Sequence, residues 1–277
     1  MTNIAWACSL GAILLWAIFA TLVRHVGTLP PLYLTGVALC LGSLATIHRW
    51  REWRVPLATF TFGTACLFVY HVCLIAAFGL APIAEANLVN YLWPLLIVLL
   101  APWVTRSGTL RRAQIVGCGI AFLGCAVAIA PSLSSSSLSP AHVLGYGLAL
   151  IAAATWAIYS LGLRRCPPYS SWATGGFCLA AGLLSLLAHT VFEPAVQASA
   201  ADIAWIAIIG IGPLGISFVL WDMALQRGNP SRIGSLSYLT PPLSTLGLAL
   251  DGAVGGDAWL RLGAAVLLVV IGVRVSK

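Results

Sequence analysis

The chain has 277 residues, 60% of them hydrophobic and only 8% charged, with a mean hydropathy of +0.99. Soluble domains carry about 25% charged residues, so this composition is built to face lipid and leaves no room for a separate soluble domain. The net charge of +7 comes from basic residues gathered in alternate loops, and it calls for no nucleic-acid partner.

Ten apolar stretches follow one another, near 4–23, 31–47, 56–80, 83–105, 113–130, 141–163, 171–192, 203–221, 233–250 and 258–273. Most reach the roughly 17–25 residues that cross a bilayer as helix; the second and last are at the short end. Their apolar residues do not alternate with period two, which argues against a β-barrel. Met1-Thr2-Asn3 supplies no basic segment ahead of the first stretch, so it is expected to be a span and not a cleaved leader.

Span 1 carries Trp16-Ala-Ile-Phe-Ala20, and 140 positions later span 6 carries Trp156-Ala-Ile-Tyr-Ser160. Span 3 holds Tyr70 and His71, the one histidine well inside an apolar stretch. Span 4 contains Tyr91-Leu-Trp-Pro94, which returns 147 positions later in span 9 as Tyr238-Leu-Thr-Pro241. Between spans 5 and 6, the serine-rich 132–139 segment is the one linker-like stretch. The expected organisation is therefore a single transmembrane unit of two five-helix repeats, 1–131 and 140–277, joined by the 132–139 linker. An odd number of spans per half inverts the second half relative to the first.

Charge sets the expected orientation. If the N-terminus and every second loop share one side, that side holds 12 of the 14 basic residues, with only Arg24 and Arg261 opposite. Glu85, Glu193, Asp202, Asp251 and Asp257 collect on the other side. Excess Lys/Arg in short loops marks the cytoplasmic face, so both termini are predicted to be cytoplasmic.

In span 4, Asn87, Asn90, Tyr91 and Pro94 fall at i, i+3, i+4 and i+7, one face of a helix. Gly234, Ser237, Tyr238 and Pro241 occupy the matching face of span 9. Such a stripe is not expected to face hydrocarbon; it either lines a cavity or hydrogen-bonds between helices. Pro94 and Pro241 each remove a backbone donor and are candidate hinges, as is Pro213 within Gly210-Ile-Gly-Pro-Leu-Gly215 of span 8. The deep aromatics Trp16, Tyr70, Tyr91, Trp93, Trp156, Tyr159 and Tyr238 suit a site that stacks on a large side chain while hydrogen-bonding it, or else they are packing bulk. Trp221 fits either the deep set or the interfacial one. His71 is read as a donor to a carboxylate, as a proton carrier, or as a neutral ring bonded to a neighbouring helix. Asp222 is expected to form a structural ion pair with Arg227 or Arg232, and Glu85 to cap its helix or act as a gate.

Ten short helices in inverted halves, the Trp-Ala-Ile motifs of spans 1 and 6, and the prolines of spans 4 and 9 resemble the drug/metabolite transporter superfamily, in its EamA-type branch. Asn90-Tyr91-Leu92-Trp93-Pro94-Leu95 looks more narrowly like the aromatic amino acid exporters of that branch. One departure is visible: span 5 keeps Gly117 and Gly124 seven apart, whereas Gly263 and Gly272 of span 10 are nine apart. The resemblance implies an all-α integral membrane protein of the cell inner membrane with a central cavity, exporting small amphipathic metabolites by alternating access. The cavity lining it points to is Trp16, Tyr70, His71, Asn87, Asn90, Tyr91, Trp93, Trp156, Tyr159, Ser237 and Tyr238.

Other functions fit less well. His-Glu-x-x-His is absent, and Gly215-Ile-Ser217 is not completed to Gly-x-Ser-x-Gly because Val219 takes the last place. No P-loop suggests a primary pump and no acidic ring a channel. The eight cysteines are scattered without Cys-x-x-Cys, so neither disulfide, metal nor cofactor is implied. Nucleotide-sugar carriage needs deep cations and cationic drugs a deep acid; an uncharged aromatic lining fits neutral amino acids better, with another substrate class of the superfamily as the alternative. The expected partners are that small molecule and the lipid bilayer, with a monomer as the unit.

Overall fold

The computed structural model describes residues 2–26, 29–106, 109–130, 138–250 and 258–276. Most of the predicted linker, 132–137, lies outside the described residues. What is described is helical, with no strand among those residues. The helices are α1 (Asn3–Val23), α2 (Pro31–Ser43), α3 (Leu57–Leu80), α4 (Ile83–Asn90), α5 (Trp93–Thr105), α6 (Arg112–Ile129), α7 (Pro140–Gly162), α8 (Thr174–Phe192), α9 (Ala200–Ile211), α10 (Ser217–Arg227), α11 (Pro230–Ser237), α12 (Thr240–Leu250) and α13 (Ala258–Val275). A 3₁₀ segment, Leu44–Trp53, extends α2. Eight helices or joined helices are long and apolar enough to span a bilayer, from Asn3–Val23 to Ala200–Arg227. The chain is a multi-pass membrane protein.

Local chemistry explains the starts and breaks. Thr2 and Ser139 accept the first free amides of α1 and α7, from Ala5 at 3.2 Å and His142 at 3.2 Å. Helix α2 opens on Pro31 without a side-chain cap of its own. Glu193, from the end of α8, takes its free amides instead, at 2.8 Å from Leu32 and 3.1 Å from Tyr33. The same carboxylate receives His189 at 2.9 Å.

Predicted spans 4 and 9 are each broken at the repeated motif. α4 stops at Asn90 and α5 resumes at Trp93; α11 stops at Ser237 and α12 resumes at Thr240. Pro94 and Pro241 stand second in the resuming helices, where the missing N–H costs nothing. The turns tighten instead, with Leu92 N bonding Val89 O at 3.0 Å and Leu239 N bonding Leu236 O at 3.0 Å. Span 8 is α9 and α10 joined through a π-helical turn, Gly212–Ile216, which contains Pro213. There the backbones of Gly42, Gly210 and Gly215 approach so closely that a Cβ on any of them would collide with a carbonyl. The glycine run serves close packing.

The helices pair across the two halves of the chain. α2 packs on α8 and α6 on α13; α1 packs on α10 and α12, while α7 packs on α3 and α5. The largest apolar cluster lies between α1, α5, α7, α8 and α10, and two smaller ones lie under α6/α13 and under α3/α4/α7.

Candidate functional site

Four tryptophans from four different helices meet in the middle of the bundle. Trp16 of α1 lies 6.1 Å from Trp93 of α5, 5.7 Å from Trp156 of α7 and 5.2 Å from Trp221 of α10. Phe218 joins at 5.3 Å and Tyr70 at 5.1 Å from Trp156, while Tyr159 stacks on the same indole at 5.3 Å. The contacts are mostly edge-on or tilted, the geometries that aromatic quadrupoles favour. The sequence left Trp221 open between two sets and did not point to Phe218. Trp221, fully buried, belongs to the deep set. Phe218 stands 147 positions after His71, the spacing that relates Tyr91 to Tyr238, so applying the repeat offset to span 3 would have found it.

Polar atoms are threaded among the rings. Asn90, 4% exposed, donates its amide to the Tyr70 hydroxyl at 3.4 Å. Asn90 Oδ1, Trp156 Nε1 and Tyr159 Oη are buried without a hydrogen-bond partner. Leaving such a group unpaired costs roughly 1–3 kcal/mol, so a ligand that pairs them recovers that cost. Trp221 Nε1 differs, being satisfied by Ser160 Oγ at 3.0 Å.

His71 is buried beside Tyr70, and its Nδ1 lies 2.7 Å from the Leu67 carbonyl. A carbonyl only accepts, so Nδ1 carries a proton, and the ring in its neutral form presents a lone pair at Nε2. In that neutral tautomer the ring accepts at its free nitrogen, and it donates there to a carboxylate only when a second proton is bound. The partner of its N–H is its own helix, four residues back, and not a neighbouring helix.

The remaining predicted site residues make other contacts. Tyr91 sits at the α4–α5 break, hydrogen-bonded by the Asn87 side chain and without ring contact to the cluster. Ser237 is buried but donates its hydroxyl to Gly234 O at 2.6 Å. Tyr238, fully buried, packs against Phe122 at 6.5 Å among Cys118, Cys125 and Val269, on the α6/α13 side. Pro94, Pro213 and Pro241 lie at the helix interruptions already described.

At the arginine-rich end, Asp222 is 3% exposed; Arg227 attracts it through charge, but no ion pair of Asp222 with Arg227 or Arg232 within contact distance is found among the described residues. Its oxygens accept from Tyr169 Oη at 2.6 Å and Gln226 Nε2 at 2.7 Å. Arg164 is committed to the Leu225 and Gly228 carbonyls that end α10. Burial, and then the Asp222 carboxylate, hold the Tyr169 phenol well above its ordinary pKa, so it stays a donor to that carboxylate. Glu85, in the first turn of α4, accepts from the Tyr146 hydroxyl of α7.

With this geometry in hand, known proteins supply the comparison. The EamA-like transporter family matches the chain over residues 3–130 and again over 143–250. The chain belongs to the EamA-like transporter family. It is 35% identical over 266 residues to an aromatic amino acid exporter YddG of Ancylobacter novellus, covering 93% of this chain and 92% of the relative. It is 27% identical to the protein of that name from Escherichia coli, covering 84% of each. It is 28% identical to that of Salmonella typhimurium, covering 86% of this chain and 85% of the relative. A solved crystal structure of a 34% identical chain has a TM-score of 0.89, covering 99% of this chain and 96% of the other. The family is one of transporters, so the chain is a transporter and not an enzyme.

Proposed function

We propose that the protein exports neutral amino acids with large side chains, aromatic ones included, from the cytoplasm by alternating access. The observation that carries this reading is the tryptophan cluster with its unpaired polar atoms, contributed by both matched segments of the chain. A large apolar side chain stacks among Trp16, Trp93, Trp156 and Trp221. The zwitterionic end has both kinds of partner: Asn90 Oδ1 and His71 Nε2 accept from an ammonium, while Trp156 Nε1 and Tyr159 Oη donate to a carboxylate. Desolvating a zwitterion is costly unless such groups replace its water. The names of three relatives, aromatic amino acid exporters, favour the same substrate class.

The mechanism in this reading uses two inverted five-helix repeats, 1–131 and 140–277, forming ten spans with both termini cytoplasmic in the inner membrane. The reciprocal packing supports it: α1 on α10 and α12 is mirrored by α7 on α3 and α5. Rocking of one half against the other would open the cluster to each face in turn, with the interruptions at Pro94, Pro213 and Pro241 as hinges. Counterflow of labelled phenylalanine into proteoliposomes, with and without a pH gradient, tests the proposal. Exchange that saturates, and that unlabelled tryptophan competes away, is expected. No counterflow with any neutral amino acid in a panel would overturn the substrate class.

A further inference from the structure

A second feature lies on the flank of the bundle formed by α3 and α8, and shares no residue with the cluster of Trp16, Trp93, Trp156 and Trp221. A recess of about 260 Å³ is lined by Trp53, Phe60, Gly176, Leu179, Ala180 and Leu183, and no polar atom faces it. The four α8 residues among these fall at i, i+3, i+4 and i+7, a single stripe that runs along the helix for roughly 10 Å at 1.5 Å per residue. Gly176 leaves the floor open, since a Cβ there would already touch Phe60 and Trp53 at 3.4 Å. Trp53 turns its one polar atom away, donating Nε1 to Thr46 Oγ1 at 3.0 Å. The walls cannot hold an amino acid's charges, but they fit a length of hydrocarbon chain.

Charge on the segment that carries Trp53 decides which lipid. Arg49 is committed, paired with Glu52 at 2.7 Å and lying over Trp172. Arg54 adjoins the wall residue Trp53 and Arg51 stands two residues before it; both are exposed and have no carboxylate within ion-pair distance among the described residues, Glu52 between them being paired with Arg49. Both guanidinium groups lie over the half-exposed Trp50 ring, at 5.9 and 5.7 Å from its centre. Two such cations beside an interfacial tryptophan form a receptor for a lipid phosphate. We propose that this recess is a discrete binding site for an anionic phospholipid, with one acyl chain along the α8 stripe and the phosphate held by Arg51 and Arg54. The proposal is independent of what the protein transports.

Native mass spectrometry of the purified protein, titrated with equal amounts of phosphatidylglycerol and phosphatidylcholine, is the test. Wild-type protein should retain the anionic lipid about tenfold better. The Arg51→Gln/Arg54→Gln double variant should lose that preference, and Gly176→Leu should reduce retention of both lipids. Leu183→Trp, which fills the recess from an exposed position, serves the same purpose should Gly176→Leu fail to fold. Equal retention of the two lipids by wild type, an unchanged preference in the double variant, or full retention in a folded variant with a filled recess would each overturn the site.

Discussion

At the residue scale, hydrogen-bond partners assign roles that residue type alone leaves open. His71 was legible as a site candidate because it is the one deep histidine, but which nitrogen carries the proton depends on Leu67, a contact set by the ring's rotamer. Losing one hydrogen bond to a charged group costs roughly 1.5–3 kcal/mol, about ten- to a hundredfold in affinity. His71→Ala is therefore expected to raise the half-saturating concentration for phenylalanine counterflow by that factor. His71→Gln, which retains an acceptor oxygen, should lose much less and keep the wild-type dependence on pH if the ring acts only as an acceptor. Transport by His71→Ala equal to wild type would remove His71 from the site. Trp156→Phe keeps the stack but removes the unpaired indole N–H, so it should weaken phenylalanine by a similar factor while sparing phenethylamine, which has no carboxylate. Trp259→Ala is the control, since that ring is 51% exposed and far in sequence from every cluster residue.

At the element scale, the helices were legible from hydropathy and the interruptions from proline, because both are local. Packing partners were not, since they depend on which small residues meet. The unequal glycine spacing of spans 5 and 10 shows this. A Cβ at Gly117 would run into Gly272, and one at Gly124 would run into the Ala265 carbonyl at 2.8 Å. Ala265 stands seven residues before Gly272, so the seven-residue register of small residues is kept on α13 with alanine in one place. Gly263 has nothing within 4 Å of a built Cβ and takes no part. Gly272→Leu should therefore force α6 and α13 apart, at about 1–3 kcal/mol for overpacking, and lower the unfolding temperature in detergent. Gly263→Leu should leave that temperature close to wild type. Equal effects of the two substitutions would place the α6–α13 contact elsewhere. The same lesson explains Tyr238: its motif matches Tyr91, but its ring packs towards α6/α13 because Phe122, Cys118 and Cys125 supply the surface there.

At the scale of the whole molecule, the proposed orientation rests on charge placed on alternating loops. Arg49, Arg51 and Arg54 follow α2, Arg106 follows α5, Arg164 and Arg165 follow α7, and Arg227 ends α10. Each pair of successive basic clusters is separated by two predicted crossings, so the proposed topology puts all of them on one face. Moving that many arginines across the bilayer is opposed by the membrane potential and by the cost of desolvating each guanidinium. Single cysteines placed in the loops at Arg51, Arg106 and Arg227 of a variant whose eight native cysteines are replaced by serine or alanine should accordingly resist a membrane-impermeant maleimide added to intact cells. A cysteine in the 132–139 linker should react with it, because the proposed topology puts five crossings between that segment and the N-terminus. The two outcomes are tied by parity: with ten spans, the linker and the arginine loops cannot label from the same side. Labelling of both from outside would break the five-plus-five arrangement, and with it the inverted repeats on which alternating access rests. Labelling of the arginine loops alone would keep the repeats and reverse the molecule, turning the proposed exporter to face the other way.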